Sequence, residues 1–141
     1  MARLDEAELL SRAGGLLPDD VLRGLVRTPF DADRLLQVAA ERTFSNPHAL
    51  AEALLSSAQL RDVLIDLKMD VEEWLGGIAA ERDPGQLGAK QTALAMALDE
   101  RQAMIKALAG SVEPLEARRE LEGGISDLMR IIRAVSRAFK A

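Results

Sequence analysis

The chain has no cysteine and no tyrosine, and it has one histidine among its 141 residues. The absence of cysteine excludes disulfides, thiolate metal sites and cysteine nucleophiles. The single histidine, His48, cannot supply the three or four ligands that a zinc site needs. General acid–base chemistry would therefore have to use carboxylates or lysines, which leaves few classes of enzyme open to this chain.

Branched side chains and long apolar runs are also scarce. Val, Ile and Thr together number 16, against 23 Ala and 23 Leu. Ala and Leu lose little conformational freedom in a helix, whereas strands favour branched residues. The first residues are charged and no apolar run approaches the ~18 residues of a membrane span, so we expect neither a signal peptide nor a transmembrane segment. This composition predicts an all-α, cytoplasmic protein.

The first part of the fold prediction is a subdomain of four short helices over residues 4–56. Each helix has a start signal near the beginning of its apolar pattern. In chain order the signals are Asp5 with Glu8, ending at Gly14-Gly15; Pro18 with Asp19 and Asp20; Thr28-Pro29 with Asp31 at the third helical position, ending near Phe44; and Asn46-Pro47, ending near Leu55.

The second part is a three-helix antiparallel, coiled-coil-like bundle over residues 58–140. Three stretches repeat apolar residues at alternating spacings of four and three, which is a heptad pattern. Asp83-Pro84-Gly85 and Gly110-Ser111 separate them, and such short connections predict antiparallel neighbours. The three heptad stripes are Leu60, Leu64, Leu67, Val71, Trp74 and Ile78; Leu87, Gln91, Leu94, Leu98, Arg101, Ile105 and Leu108; and Leu121, Ile125, Leu128, Ile132, Val135 and Phe139.

Two features of these stripes need an explanation. Arg101 must reach solvent or find a carboxylate, because a buried unpaired guanidinium is too costly; alternatively the stripe drifts to Ala97, Met104 and Leu108. Gly123-Gly124 costs about 1 kcal/mol per glycine inside a helix. Because the stripe continues through it, we expect one helix with a weak point there. The apolar stripes pack against one another within the chain, or they pack against those of a second copy.

Candidate chemistry is sparse. His48 and Glu52 are spaced as a same-face pair on a helix. Asp62, Asp66, Asp70 and Glu73 lie within about 80° of one another on a helix, a spacing that can hold a divalent metal. The centre of this acidic stripe points about 125° away from the heptad stripe, which instead favours a solvated face. With no nucleophile motif and no phosphate loop, we expect no enzyme activity, no cofactor and no metal site.

The strongest functional signal is a basic face at the C-terminus, formed by Arg130, Arg133, Arg137 and Lys140. Residues 124–141 carry a net charge of +3, whereas the whole chain carries −5. Such a face on an acidic body can meet an acidic partner, an anionic membrane surface or nucleic acid. Cations also favour helix C-termini through the helix dipole, which alone explains one or two of the four.

The function predicted from the sequence is a helical protein–protein interaction module, such as an adaptor, an assembly factor or a structural subunit. Long helices with charged faces are expected to present surface rather than enclose a pocket. A protein partner is expected at the basic face, and self-association is also compatible with the heptad stripes. The sequence leaves open a nucleic-acid-binding accessory protein, which the net charge disfavours, and a chaperone-like export or assembly factor.

Overall fold

The predicted all-α class is confirmed in a computed structural model that describes residues 1–27, 29–44 and 47–141. Most of these residues are helical, and one pair of two-residue strands joins the two ends of the chain. The helices are α1 (Glu6–Ala13), α2 (Asp19–Arg27), α3 (Ala32–Thr43), α4 (Pro47–Ser56), α5 (Ala58–Ala80), α6 (Pro84–Ala109) and α7 (Leu115–Ala138), and the strands are β1 (Arg3–Leu4) and β2 (Phe139–Lys140).

Most helix ends follow the predicted capping signals. The Glu8 backbone N–H donates to Asp5 Oδ1 at 3.1 Å, and α1 ends before Gly14. Asp31 is a correction: it is the N-cap of α3 rather than its third residue, and its carboxylate accepts from the Asp33 and Arg34 N–H groups. A side-chain acceptor satisfies these otherwise unpaired donors best from the N-cap position. Thr28 and Asn46, two of the predicted start signals, lie outside the described residues.

The long helices α5, α6 and α7 have the predicted connections. Asp83 caps α6 by accepting from the Gln86 N–H at 2.8 Å, and Gly110 follows its last residue. Helix α6 packs against both α5 and α7. Arg101 remains on the inner side of α6 and pairs with Asp70 of α5 at 2.7 Å. The alternative stripe through Met104 is wrong, because Met104 is exposed and Ile105 is buried.

Helix α7 lies at the centre of the molecule. It runs unbroken through Gly123-Gly124, as predicted, and it packs against α1, α3 and α4 as well as α6. Residues outside its heptad stripe are therefore buried too, among them Met129, Ile131 and Ala134. The buried apolar residues form one cluster that extends from Ala2 to Phe139. Residues from both predicted parts thus contribute to the same core.

The last predicted stripe residue, Phe139, follows the helix instead of belonging to it. It lies in β2, which pairs antiparallel with β1 in the register Arg3↔Lys140 and Leu4↔Phe139. Its ring packs edge-on against Phe30 with centroids 5.1 Å apart. A two-residue strand is too short to show a period in the sequence, which is why the heptad pattern extended over it. Within the described part of the chain, no helix is long and apolar enough to cross a bilayer.

Candidate functional site

A cavity of ≈ 530 Å³ lies between α3, α4, α5 and α7. Its walls are mainly aliphatic, and the polar groups on its lining are Asp33, Gln37 and Lys68. We call it the apolar cleft. Its volume lies in the range of about 300–1,000 Å³ that is usual for ligand sites. The expectation that the helices enclose no pocket is therefore wrong. Heptad spacing describes one face of one helix, whereas this space depends on how four helices meet.

The α7 side of the cleft comes from its heptad stripe. Leu121, Ile125, Leu128 and Ile132 line the cleft opposite residues of α3 and α4. Leu121 and Ile132 are fully buried, whereas Leu128 is half-buried. A stripe expected to face only the other long helices thus also forms the floor of the site.

One end of the cleft depends on a close contact between an aromatic ring and a glycine. Phe44 follows α3 as its C-cap, and its side chain lines the cleft. The ring lies directly against Gly124 of α7, where a Cβ atom would overlap it. At Gly123, by contrast, an added Cβ would meet open space. The helical spacing places Gly124 near the heptad stripe and Gly123 far from it, but the spacing does not indicate that the ring of Phe44 fills the space beside Gly124.

An ion pair closes part of the mouth of the cleft. Lys68 Nζ of α5 lies 3.0 Å from Asp33 Oδ1 of α3 and 3.9 Å from Glu72 Oε1. The hydrogen bond from Lys68 holds the pKa of Asp33 below its ordinary value, and the same contact raises the pKa of Lys68. Both groups are therefore charged at neutral pH, and they join α3 to α5 across the opening.

Apolar surface continues from the cleft onto the outside of α5. Leu54, Leu64 and Lys68 line both the cleft and a shallower groove beside it, which we call the outer groove. Ile65 and Met69 also line the outer groove, and they are 51% and 63% exposed, respectively. Leu55 of α4 is 79% exposed. Exposed apolar residues that adjoin one another beside a cleft, as Ile65 and Met69 do, are typical of binding surfaces, whereas single exposed apolar residues are common on any protein.

The acidic stripe of α5 divides into one paired and three exposed carboxylates. Asp70 pairs with Arg101, whereas Asp62, Asp66 and Glu73 are exposed. Within the described ranges, no group of three or more His, Cys, Asp or Glu side chains is placed to hold a metal ion. The predicted pair of His48 and Glu52 is present, with Nε2 and Oε1 3.2 Å apart on the surface.

The predicted basic face takes part in contacts within the molecule. Arg133 pairs with Asp99 of α6, Lys140 lies 3.6 Å from Glu8 of α1, and Arg130 lies 3.5 Å from Asp127. Arg137 is exposed. Two of the four cations thus link the end of α7 and β2 to other helices. A docking role for this face stays a prediction.

Comparisons of the chain with protein-family models, with curated proteins and with solved structures find no match. A functional proposal therefore has to rest on the cleft, the outer groove and the charges around them.

Proposed function

We propose that this protein is a non-enzymatic, cytoplasmic interaction module that binds a helical segment of a protein partner in the apolar cleft and the outer groove. The observation that carries the proposal is the continuity of these two surfaces through Leu54, Leu64 and Lys68. An adaptor, an assembly factor and a structural subunit would all use such a site.

The shape of the site favours an elongated occupant. The outer groove follows α5 from Arg61 to Glu72, which spans about 16 Å at 1.5 Å per residue. An amphipathic helix that binds in a groove places its own apolar anchors one turn apart, and Ile65 and Met69, also one turn apart, offer apolar contacts along the groove at that interval. Methionine also adapts its shape to different apolar partners, because its side chain is unbranched and flexible.

The charged groups near the cleft support binding rather than catalysis. A catalytic site needs convergent groups whose pKa is shifted by burial in a water-excluded space. Among the described residues the resolved pKa shifts belong to Glu8, Asp33, Lys68 and Glu81, and each arises mainly from a surface ion pair. Lys68 and Asp33 at the cleft mouth already bind each other.

Photo-crosslinking tests the proposal. A photoreactive residue at Met69 should capture a specific protein in cells, whereas one at Met96, exposed on α6, serves as the matched control. The Ala40→Leu substitution adds bulk to the cleft lining and should abolish capture at Met69. Its control, Ala103→Leu on the exposed side of α6, should not. Capture of the same proteins at both positions, or capture that Ala40→Leu leaves unchanged, would contradict the proposal.

A further inference from the structure

We infer that the occupant is a basic amphipathic helix that lies along the outer groove at the edge of the cleft, with its apolar side on Ile65 and Met69 and its lysines and arginines beside the acidic stripe of α5. The inference rests on the proposed function, because it specifies the chemistry of the partner that the same site would bind.

Helix α5 carries five acidic and two basic side chains. Those that form no ion pair within the protein can pair with charges on a bound helix. Lys68 pairs with Asp33 and Glu72, and Asp70 pairs with Arg101. Arg61, the other cation of α5, is exposed and lines the outer groove about 100° from Asp62, on the far side of Ile65 and Met69 from the carboxylates. Asp62, Asp66 and Glu73 remain exposed, and within the described residues no cation pairs with them. At 100° per residue these three positions lie within about 40° of one another, so they form a row along about three turns.

This row of carboxylates borders the apolar anchors. By the same helical geometry, Met69 lies about 20° from Asp62 around the α5 axis, and Ile65 lies about 60° from it. A helix that places its apolar residues on Ile65 and Met69 therefore brings one flank next to Asp62, Asp66 and Glu73. Basic residues on that flank would gain charge pairing, whereas acidic residues would be repelled.

A second copy of this chain does not supply such a helix. Within the part of the chain that the structure describes, the strongly basic helical face belongs to α7, and the apolar side of α7 is buried in the core. Arg133 and Lys140 of that face are also bound to α6 and α1. Insertion of α7 into the cleft of another copy would require unfolding of the donor, so the expected occupant comes from a different protein.

Peptide titration tests the chemistry of the occupant. The probes are three labelled synthetic peptides: a helix with leucines at i, i+3, i+4 and i+7 and lysine and arginine flanks, the same apolar pattern with glutamate flanks, and a shuffled basic peptide without an apolar side. We expect the basic amphipathic peptide to bind at least about tenfold more tightly than either other peptide, a difference of about 1.4 kcal/mol. Its affinity should fall as salt rises, because exposed charges are screened.

Matched variants locate the charge effect. The triple substitution Asp62→Asn, Asp66→Asn and Glu73→Gln should remove the preference for the basic over the acidic amphipathic peptide. Glu100→Gln, Glu113→Gln and Glu116→Gln change the net charge equally at exposed positions outside the stripe, and this control should keep the preference. Loss of the preference in both variants would mean that the total charge is responsible, and it would overturn the inference.

The remaining outcomes separate this inference from the proposed function. Equal binding of the basic and acidic amphipathic peptides overturns the inference but leaves helix docking intact. Equal binding of the basic amphipathic and shuffled peptides also overturns the inference, as does the absence of binding by any peptide. In either case the proposed function is tested by the crosslinking experiment at Met69. Sedimentation that shows dimers dissociated by Met69→Lys would identify a second copy as the occupant and would equally overturn it.

Discussion

Two adjacent glycines in α7 have opposite surroundings. The ring of Phe44 occupies the space beside Gly124, whereas the space beside Gly123 is open. Both residues cost helix stability relative to alanine, but only Gly124 allows α3 to end with an aromatic ring against the central helix. Phe44 also lines the cleft. The absence of a side chain at Gly124 therefore contributes to the shape of the candidate site.

Alanine substitutions at the two glycines should therefore have opposite effects. Gly123→Ala should raise the free energy of unfolding by up to about 1 kcal/mol, because alanine is the better helix former. Gly124→Ala should lower it by about 1–3 kcal/mol, because the new methyl group displaces the Phe44 ring. Urea unfolding measures both changes. An equal stabilisation by the two substitutions would contradict the assigned contact.

The exposed cations of the basic face should tolerate charge reversal, whereas Arg133 should not. Arg130→Glu with Arg137→Glu changes two exposed positions, so the stability should fall by no more than about 1 kcal/mol through the lost pair with Asp127 and the helix dipole. Arg133→Glu places a carboxylate next to Asp99 of α6 and should destabilise the protein measurably more. Thermal unfolding compares the variants. If the Arg130 and Arg137 reversal also left the set of proteins pulled down from native lysate unchanged, the predicted docking role of this face would be wrong.

At the scale of the elements, α3 and α5 are joined across the cleft by Lys68 and Asp33. Because the hydrogen bond from Lys68 favours the charged carboxylate, the pKa of Asp33 is lower in the folded protein than in the unfolded chain. The stabilisation from this pair is fully present above the ordinary carboxyl pKa near 3.8 and is lost as the pH falls through the lower pKa of the folded state.

An NMR titration of the Asp33 carboxyl group tests this link between α3 and α5. The midpoint of the Asp33 titration should lie at a lower pH in the native protein than in the Lys68→Met variant. This substitution removes the cation but keeps an aliphatic side chain. Glu8, whose pKa is lowered mainly by the hydrogen bond from Arg12, is the internal control and should titrate identically in both proteins. Coincident Asp33 midpoints would show that the ion pair does not form in solution.

The elements themselves were largely predictable from the sequence, because caps and heptad spacing are local. Asp5 caps α1 as expected, Asp83-Pro84-Gly85 separates α5 from α6 as expected, and Leu67 and Leu98 are buried as their stripes predict. The cleft was not predictable, because it depends on the packing of α3 and α4 against α5 and α7. The contact of Phe44 with Gly124 and the pairing of β1 with β2 join residues far apart in the sequence, so no local pattern encodes them.

At the scale of the whole molecule, α7 is the helix on which the others assemble. Leu121, Ile125 and Ile132 of α7 face the cleft that α3 and α4 help to form. Gln91 of α6 donates to the Ser136 and Phe139 carbonyl oxygens at 2.6 and 3.0 Å, which satisfies acceptors at the end of α7. The Asp5 N–H donates to the Ala138 carbonyl oxygen at 2.8 Å, next to the pairing of β1 with β2.

Removal of residues 1–57 should therefore disrupt folding of the remainder. The fragment 58–141 keeps the predicted three-helix part but loses the helices that cover the cleft side of α7. We expect it to unfold without a cooperative transition or to associate through the exposed leucine and isoleucine side chains. Circular dichroism during urea unfolding, with sedimentation, measures both properties. A monomeric fragment with a sharp transition would instead establish residues 58–140 as an independently folding unit.

The most direct test of the central claim is a methyl NMR spectrum of the protein labelled at its five methionines, recorded while the basic amphipathic peptide is added. Met69 lines the outer groove, Met96 and Met104 are exposed on α6, and Met129 is buried in the core. Docking in the cleft and outer groove predicts a saturable shift of the Met69 signal, while the Met96 and Met104 signals stay in place. Saturable shifts at Met96 or Met104 with an unmoved Met69 signal would contradict the account.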